Sequence, residues 1–506
     1  MRTSLLAAVL SPRKALGDPS RWMFFSTRIR QASGSAVNVV AGAEYKSVTL
    51  KACNGPWAKR EVKVHFPGFW SLESGAAPTE QTPGAMAIDE VFIIVGANSY
   101  PMLFTGASTS VSIAAGALGE WASVTLPEDL PANAQYTLKY SYHQAAGVGM
   151  IPGYNLQTQN GERAYGATTL AGVQALSAAN GASSANMAGI KVYGPDFAIA
   201  KGWDGVTKVQ LVANDSIGDE RNDGNQNADA RGNQGVYRRY LDNAASRVCF
   251  AMMSCPGAAG ARDLITGAFK RWQVLDEIVA FNGGKYPWTG AINQYGQNDM
   301  SASGQAGVLA FIDRLVARYP GTKVVGCTLL PVTTSNDNWK TRTGQTKTTV
   351  NIYPTGAKYV FNDYVRAGMD GRLVGFIDTY APVHDATYPG TWPAAQWTGT
   401  LAAQAGTDGT ATYVAITVNG PPPPSLTFIG WGTPGASNTA HTGGITDIVD
   451  NGNGTYTLNI DRTNTQVAAV GTAVWSMASA DGTHPEEITC EWLAGQVPQS
   501  AKTQLV

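Results

Sequence analysis

The sequence has few charged residues and no long apolar run. Charged residues make up 14% of its 506 positions, against about 25% in a typical soluble domain. The formal net charge is −1, and no cluster of Lys and Arg forms a basic stripe that could neutralise a row of phosphates. No stretch approaches the roughly 20 apolar residues of a membrane-spanning helix. We therefore expect neither a nucleic-acid partner nor a membrane span.

Cysteine is also scarce. The five cysteines are odd in number and widely scattered, and no C-x-x-C pair occurs. This pattern indicates neither a zinc site nor a disulfide framework. The polar loop 219–233 (DERNDGNQNADARGN) does not match a calcium loop, because Arg221 occupies a ligand position and Ala230 stands where a bidentate glutamate belongs. We predict no metal and no cofactor, and we interpret 219–233 as a rim loop.

Glycine and small polar residues take the place of charge. The chain has 57 glycines, and hydrophobic residues make up 44% of it, enough for several cores. Its length suggests about three domains. The composition is typical of β-rich modules outside cells or on particle surfaces, including virions. The first ten residues resemble a signal peptide, but the run 11–14 (SPRK) ends the apolar stretch early and no small-residue cleavage site follows, so cleavage is not expected.

Residues 1–205 are predicted to form a β-rich accessory domain, a sandwich or jelly roll. Short alternating strands are separated by Gly, Pro and Asn turns. The stretch 171–188 is interpreted as a loose connection. The predicted strands are Tyr45–Lys51, Glu61–Phe66, Glu90–Val95, Trp121–Leu126 and Gln135–His143.

Residues 206–385 are predicted to form the first part of an α/β domain. Apolar strand-like runs alternate with segments of helical spacing, such as Val308, Phe311, Ile312 and Leu315, which indicates a parallel sheet covered by helices on both faces. A second helical pattern begins at Leu264. The predicted strands are Val206–Val212, Ser246–Met253, Ile278–Phe281, Lys323–Leu330 and Val374–Tyr380.

The β pattern returns in 386–478, which we interpret as a small β insertion. It contains a predicted hairpin, Ile445–Ile460, turning at Asp450–Gly454, where Asn and Gly tolerate positive φ. Helical character returns in 479–506, since Pro485 and the acidic residues after it suit the first turn of a helix. The α/β domain therefore resumes there.

Four short polar segments follow predicted strands or precede a helix. Ligands bind beyond the carboxyl ends of the strands in open α/β sheets, so all four are expected at one edge. They are Asn214-Asp215-Ser216-Ile217-Gly218, Cys255-Pro256-Gly257-Ala258-Ala259-Gly260, Tyr295-Gly296-Gln297-Asn298-Asp299 and Asp481-Gly482-Thr483-His484-Pro485.

The residue types in these segments suit acyl transfer. A serine such as Ser216 needs a neighbouring base to accept its proton, and His484 with Asp481 in one tight turn can supply an oriented imidazole. An oxyanion needs donors, for which the N–H groups of Ser216 and Gly257 and the side-chain amide of Asn298 are candidates.

These segments resemble the four blocks of the SGNH hydrolases, or GDSL esterases, which contribute Ser, Gly, Asn and a D-x-x-H pair in that chain order. The resemblance covers roughly 206–385 and 479–506, and G-Q-N-D and D-G-T-H-P are its most specific pieces. Asn214 stands where the family usually has Gly, Ile217 where it has Leu, and Gly260 competes with Gly257 as the oxyanion glycine. The resemblance implies a flavodoxin-like three-layer α/β/α fold and a Ser216, Asp481, His484 triad.

Taken alone, each residue also has an ordinary explanation: a turn serine, a loop amide or a helix-capping histidine. Among the other histidines, His384 beside Asp385 is the rival base, whereas His65 and His143 are interpreted as structural.

By resemblance, we expect a serine esterase acting on an O-acetylated glycan, on whose sugar rings Trp392, Trp397 and Trp431 could stack if they are not core residues. A short-chain or lipid acyl esterase is the alternative. A glycan-binding surface or phage tail protein is the alternative of another class. The sequence indicates no oligomeric state.

Overall fold

The structure is a computed structural model. It describes residues 18–29, 31, 37–72, 79–150, 154–156, 161–181, 183, 191–218, 235–243, 246–255, 257–263, 265, 269–300, 304–348, 355–395, 397–404, 413–423, 428–432, 440–464, 468–477, 479 and 487–505. Within these ranges, no helix has the length and apolar character needed to cross a membrane.

Antiparallel strands dominate the N-terminal part of the chain. Apolar and polar residues alternate along them, and in the long strand that begins at Met86 the side chains of Met86, Ile88, Val91 and Ile93 are buried. The elements are β1 (Met23–Phe24), β2 (Val37–Asn38), β3 (Tyr45–Cys53), β4 (Lys59–Pro67), β5 (Trp70–Leu72), β6 (Thr79–Gln81), β7 (Met86–Val95), β8 (Asn98–Pro101), β9 (Val111–Ile113), β10 (Gly119–Leu130), β11 (Gln135–His143), β12 (Gly149–Met150), β13 (Tyr154–Asn155), β14 (Arg163–Ala167), α1 (Leu170–Asn180), β15 (Lys191–Val192) and β16 (Phe197–Ala200).

Two larger sheets enclose the N-terminal core. One has the strand order β1-β16-β4-β10, and the other has the order β14-β3-β11-β7-β8 with β9 also paired to β7. Phe66 of the first sheet and Tyr140 of the second meet edge to face, with ring centroids 5.5 Å apart. The strands predicted for this part are therefore present, and their sheets pack face to face.

Helix α1 corrects the prediction of a loose connection in 171–188. Thr169 caps this helix, because its hydroxyl accepts the N–H of Gly172 at 3.1 Å. The alanines and leucines that follow favour a helix, and they outweigh the Ser, Gly and Asn residues of this stretch. Residues 182 and 184–188 lie outside the described ranges.

A five-stranded parallel sheet forms the second main element. Its strand order is β18-β17-β19-β20-β23, which in chain order is the 2-1-3-4-5 order of flavodoxin-like folds. The elements of this part are β17 (Val209–Asn214), α2 (Val236–Leu241), β18 (Cys249–Ser254), α3 (Lys270–Phe281), β19 (Gly290–Asn293), α4 (Gly304–Arg318), β20 (Val324–Cys327), β21 (Thr333–Ser335), β22 (Gln345–Lys347), α5 (Ala357–Arg366) and β23 (Leu373–Ile377).

A closed six-stranded barrel follows in the chain, with the order β24-β25-β28-β27-β26-β29. The predicted hairpin is confirmed: β27 pairs with β28, and Gly452 and Gly454 have the positive φ that the turn requires. The strands are β24 (Thr398–Leu401), β25 (Tyr413–Asn419), β26 (Phe428–Gly432), β27 (Ala440–Asp450), β28 (Thr455–Asn464) and β29 (Ala473–Ser476).

Helices cover both faces of the parallel sheet. The last helix, α6 (Glu487–Gln496), packs against α2 in the core that also contains Val212 of β17. The neighbouring residue Leu211 points to the opposite face, into the core that contains α3 and α4. All six residues of β17 are buried, as expected for a strand covered on both sides.

Two predictions about α3 were wrong. Ile278–Phe281, expected to be a strand, is the last turn of this helix, because an apolar run of four residues does not distinguish strand from helix. The helix also begins later than its spacing suggested, at Lys270, and Ile265 has a φ of +35°. Glu80 of β6 accepts the N–H groups of Lys270 and Arg271, and so caps the helix from the N-terminal part of the chain.

Both edges of the parallel sheet are covered. Along β18, the carbonyl of Ser26 accepts the N–H of Phe250, and the N–H of Gln31 donates to Met252. Along β23, the N–H of Phe376 donates to the side-chain carbonyl of Gln504, which lies in the 3₁₀ helix Gln499–Gln504. These contacts satisfy backbone groups that an open edge would expose.

The barrel has a core of its own, and its ends lie side by side. Thr398 pairs with Trp475, and the N–H of Ser476 donates to the carbonyl of Trp397 at 2.9 Å. A deletion of 398–475 closed by a short glycine linker should therefore leave the rest of the chain folded. We expect cooperative thermal unfolding and a weaker β signal in far-UV circular dichroism.

Trp392 and Met477 stay in that variant because they belong to the core beside α6. A deletion protein that aggregates or unfolds without cooperativity, with linkers of several lengths, would show that the barrel is integral to the fold.

Candidate active site

The strand order places three of the predicted segments side by side at the carboxyl ends of the parallel strands. Strand β17 has β18 on one side and β19 on the other, so the direction of chain connection reverses there. Such a switch point is where α/β sheets bind ligands. Asn214 is level with Ser254, and Ala213 is level with Asn293. The loops beginning at Asp215, Cys255 and Gln294 therefore start side by side.

The turn that carries Ser216 is fixed by Asp215 and Gln294. The N–H of Asp215 donates to Oε1 of Gln294, and Nε2 of Gln294 donates back to Oδ1 of Asp215, both at 3.1 Å. The same Oδ1 accepts the N–H of Ile217 at 2.9 Å. Asp215 is fully buried, and Ser216 is 5% exposed. The backbone before the serine is thus held by Gln294, and the backbone after it by the Asp215 carboxylate.

Asn298 lies between that turn and the loop after β18. Its Nδ2 donates to the carbonyl of Ala258 at 2.9 Å and lies 3.5 Å from Oδ2 of Asp215. Gly257, the residue before Ala258, has a φ of +73°, a conformation that favours glycine. The structure therefore brings Ser216, Gly257 and Asn298 to adjoining turns.

Gly260, the second glycine of this loop, has close contacts. The N–H of Gly260 donates to Oδ2 of Asp299 at 2.8 Å. A Cβ at this position would lie 3.2 Å from atoms of Val308 and Phe311 in α4. Gly260 is thus packed against the helix with its N–H engaged.

Two buried carboxylates connect these loops to each other. Asp299 accepts the N–H groups of Gly260 and Ala261, at 2.8 and 3.0 Å. In the other direction, Asp263 accepts the Tyr295 hydroxyl at 2.8 Å. Asp299 of the loop after β19 thus fixes the loop after β18, and Asp263 of the loop after β18 fixes the loop after β19.

Asp263 also forms a buried ion pair with Arg271 at 2.8 Å. Burial alone would lower the pKa of Arg271, but the carboxylate beside it raises that pKa above its ordinary value. Burial, with the nearby charge of Asp263, raises the pKa of Tyr295 well above its usual range. Both side chains thus keep their hydrogen-bonding protons across the pH range in which proteins stay folded.

Part of the predicted site lies outside the described residues. These positions are Asp481 and His484, together with the rim loop 219–233 and Pro256. The described chain resumes at Glu487, where α6 begins and packs against α2.

The rival histidine, His384, lies beyond the end of β23. Its Nδ1 is 3.2 Å from the Tyr380 hydroxyl, and it lines a pocket of about 390 Å³ with Arg366 and Asp378. The adjacent Asp385 closes a turn, because its Oδ1 accepts the N–H groups of the residues two and three positions later.

His65 and His143 each face an aspartate in the N-terminal sheets. His65 Nδ1 is 2.6 Å from Asp196, and both side chains are fully buried. His143 Nδ1 is 2.9 Å from Asp89, with its imidazole 36% exposed. Burial raises the pKa of both aspartates. His65 lies in β4 and His143 in β11, and these positions agree with the interpretation of both as structural residues.

The tryptophans considered for sugar stacking are core residues. Trp392 and Trp431 are fully buried, and Trp397 is 7% exposed. They therefore offer no ring face to a ligand, and the core interpretation is the one the structure supports.

Sequence reasoning missed Gln294 and Asp263. Gln294 directly follows a buried strand, and that position was the signal that would have found it. Asp263 gave no comparable signal, because its partners Arg271 and Tyr295 come from a helix and from another loop.

No protein-family model and no curated protein matches the chain. Solved structures similar to it include a family 2 carbohydrate esterase with a carbohydrate-binding domain from Corynascus thermopiles (11% identity, 68% of this chain and 89% of that chain, TM-score 0.25). A second similar structure is a family two carbohydrate esterase from Cellvibrio japonicus (10% identity, 74% of this chain and 92% of that chain, TM-score 0.22). A third is a GDSL-like lipase from Bacteroides ovatus (11% identity, 69% of this chain and 78% of that chain, TM-score 0.23). At these identities and TM-scores the likeness carries no conclusion about function, which depends on the residues of the site.

The Asp299 contacts give a stability prediction. Asp299→Asn replaces an acceptor by an amide N–H₂ facing a backbone donor, so we expect the free energy of unfolding to fall by about 1–3 kcal/mol. Urea unfolding followed by tryptophan fluorescence measures it. Asp313→Asn is the control, since Asp313 is a half-exposed partner of Arg372 and should change stability by less than about 0.5 kcal/mol. Equal effects of the two substitutions would contradict the assigned role of Asp299.

Proposed function

We propose that the chain is a serine ester hydrolase of the SGNH type in which Ser216 is the nucleophile. The observation that carries this proposal is the meeting of three turns at the switch point of the sheet: the Ser216 turn, the Gly257 loop and the Asn298 amide. A nucleophile next to hydrogen-bond donors on separate, braced loops is the arrangement that acyl transfer requires.

His484 and Asp481 complete the proposed site. As Ser216 Oγ attacks the ester carbonyl, its proton passes to the imidazole of His484, which Asp481 orients. Collapse of the tetrahedral intermediate expels the alcohol, which takes the proton from His484, and leaves an acyl-serine. Water then attacks the acyl-serine by the same route, and the acid and free serine are released.

The proposed oxyanion donors are the N–H groups of Ser216 and Gly257 and the amide of Asn298. Between the two glycines that the sequence left open we choose Gly257, because the N–H of Gly260 donates to Asp299 at 2.8 Å. Asn298 differs from Gly260 in having a second N–H, whose contact with Asp215 is long, at 3.5 Å. A donor in such a position is typically worth about 10²–10³ in rate.

The substrate we propose is an O-acetylated glycan. Low exposure of Ser216, at 5%, suits a small acyl group such as acetyl better than a long chain. The glycan part follows from the sequence resemblance to the SGNH hydrolases, many of which deacetylate polysaccharides when they carry β modules. Turnover along a series of p-nitrophenyl esters, from acetate to octanoate, tests the acyl part, because the proposal requires acetate to be the best substrate and a preference for octanoate would favour a lipid esterase.

Ser216→Ala should abolish turnover of p-nitrophenyl acetate, with a loss of at least about 10⁴-fold in kcat, while the thermal unfolding midpoint stays unchanged. A fluorophosphonate probe should label the wild type on the peptide that contains Ser216. The control is Ser123→Ala, which removes a half-buried serine of β10 that donates to Leu103 and should leave labelling intact. Labelling elsewhere, or an active Ser216→Ala protein, would rule out this nucleophile.

Kinetics of three variants decide which histidine is the base. Asp481→Asn should lower kcat by about 10⁴-fold because the amide favours the wrong tautomer, and His484→Ala should lose more. His384→Ala should stay close to wild type, since Asp385 closes a turn. Activity should rise with pH as the imidazole of His484 loses its proton. The midpoint of that rise should lie above the unperturbed pKa of about 6.5, because the aspartate favours the imidazolium. An inactive His384→Ala beside an active His484→Ala would refute this triad.

A further inference from the structure

Helix α5 contains a lysine whose ammonium is buried. Lys358 is 3% exposed, and its Nζ lies 3.5 Å from the carbonyl of Leu330, the one hydrogen bond that it makes within the described residues. An ammonium has three donors and a high desolvation cost, so buried lysines normally have close partners. This group requires an explanation beyond packing.

Gln297 reaches the same carbonyl from the loop after β19. Its Nε2 lies 3.4 Å from the Leu330 oxygen, and its Oε1 is buried with no hydrogen-bond partner among the residues that the structure describes. A buried acceptor without a donor therefore lies beside a buried cation with donors to spare. Both side chains thus converge on the Leu330 carbonyl, and buried polar groups are normally hydrogen-bonded.

Among the described residues, Asp215 is the acidic group whose charge acts on Lys358. Burial lowers the pKa of Lys358 to about 7, and the Asp215 charge acts in the opposite direction, favouring the ammonium. Asp215 is itself fully buried and fixes the Ser216 turn. The lysine is thus connected to the Ser216 turn through the charge of Asp215, and to the loop that carries Asn298 through the Leu330 carbonyl that it shares with Gln297.

We propose that Lys358 is a positioning residue for the reaction: its ammonium binds Gln297 and balances Asp215, and so fixes Asn298 and Ser216 relative to each other. This inference rests on the proposed function. It assigns Lys358 no contact with substrate. Its effect passes through Gln297, the neighbour of Asn298, and through Asp215, the neighbour of Ser216.

The alternative is a lysine that only fills space. An apolar side chain of similar length would then serve equally well or better, because replacing a buried charge by a hydrophobic residue is often neutral or stabilising. If the lysine acts on the site, Lys358→Met should therefore keep or raise the stability of the fold while it lowers activity. If the lysine is only structural, stability and activity should change in the same direction or not at all.

The experiment compares Lys358→Met, Lys358→Arg and Lys323→Met in the full chain with p-nitrophenyl acetate. Lys358→Met should keep or raise the unfolding midpoint at pH 6 and lower kcat by between about tenfold and about a hundredfold, with KM within about twofold, as displaced catalytic groups do. Lys358→Arg should restore much of the loss because it keeps the charge and the donors. Lys323→Met, which removes an exposed lysine at the other end of the sheet, should match the wild type.

The pH profile gives a second readout. Lys358 is charged below its pKa and neutral above it, so wild-type kcat/KM should fall in part as the pH rises past about 7. That fall should be absent from Lys358→Met and absent from Lys358→Arg, whose guanidinium stays protonated. The acid limb, which belongs to the histidine, should remain in all three proteins.

Each outcome separates this inference from the proposed function. An unchanged kcat and pH profile in Lys358→Met, with Ser216→Ala inactive, would overturn the role of Lys358 and leave the esterase proposal intact. A parallel loss of stability and activity would also overturn it. An active Ser216→Ala protein would overturn both. If Lys358→Met does not fold, Lys358→Arg alone decides the question. A fall of kcat/KM at alkaline pH in Lys358→Arg, equal to that of the wild type, would then contradict the inference.

Discussion

The reciprocal hydrogen bonds between Asp215 and Gln294 are the contact on which the candidate site depends. They join the loops after β17 and β19, the two neighbouring strands between which the direction of chain connection reverses. Because both groups are buried, the bonds form in a low dielectric, where they are strong and where an unpaired partner is costly. The position of Ser216 follows from this pair, since the same Asp215 oxygen also accepts the N–H on the far side of the serine.

Several buried charged groups lie near these loops. Asp299 fixes the glycine loop, Asp263 pairs with Arg271, and the charge of Asp215 acts on the buried Lys358. Each of these groups costs free energy to bury, and an apolar core would be cheaper. Placing them around three loops makes physical sense if those loops must keep donors and a nucleophile in fixed positions before a substrate arrives. The N-terminal sheets contribute too, because Glu80 caps the helix that carries Arg271.

Local pattern was enough to predict the parallel sheet, the barrel hairpin and the three turns of the site. Strand β17 and helix α4 have the periodicity of buried elements, and the polar residues after the strands mark the edge where they meet. Ile278–Phe281 shows the limit, since four apolar residues fit a helix as well as a strand. Lys358 shows another, because nothing in its neighbourhood distinguishes a buried helical lysine from the usual exposed one. The cover of β23 by Gln504 depends on a contact 128 positions apart, beyond any local signal. The predicted domain boundaries and the roles of Asp481 and His484 stay predictions.

The central claim is that Ser216 becomes acylated during turnover. Rapid acid quenching of the protein with p-nitrophenyl acetate, followed by mass spectrometry of its peptides, tests this most directly. We expect one acetyl group on the peptide that contains Ser216 in the wild type and none in Ser216→Ala. In His484→Ala, the acetylated fraction should be larger than in the wild type if deacylation slows more than acylation. Acetylation confined to another residue, or steady turnover with no acetylated peptide even when acylation is made fast, would contradict it.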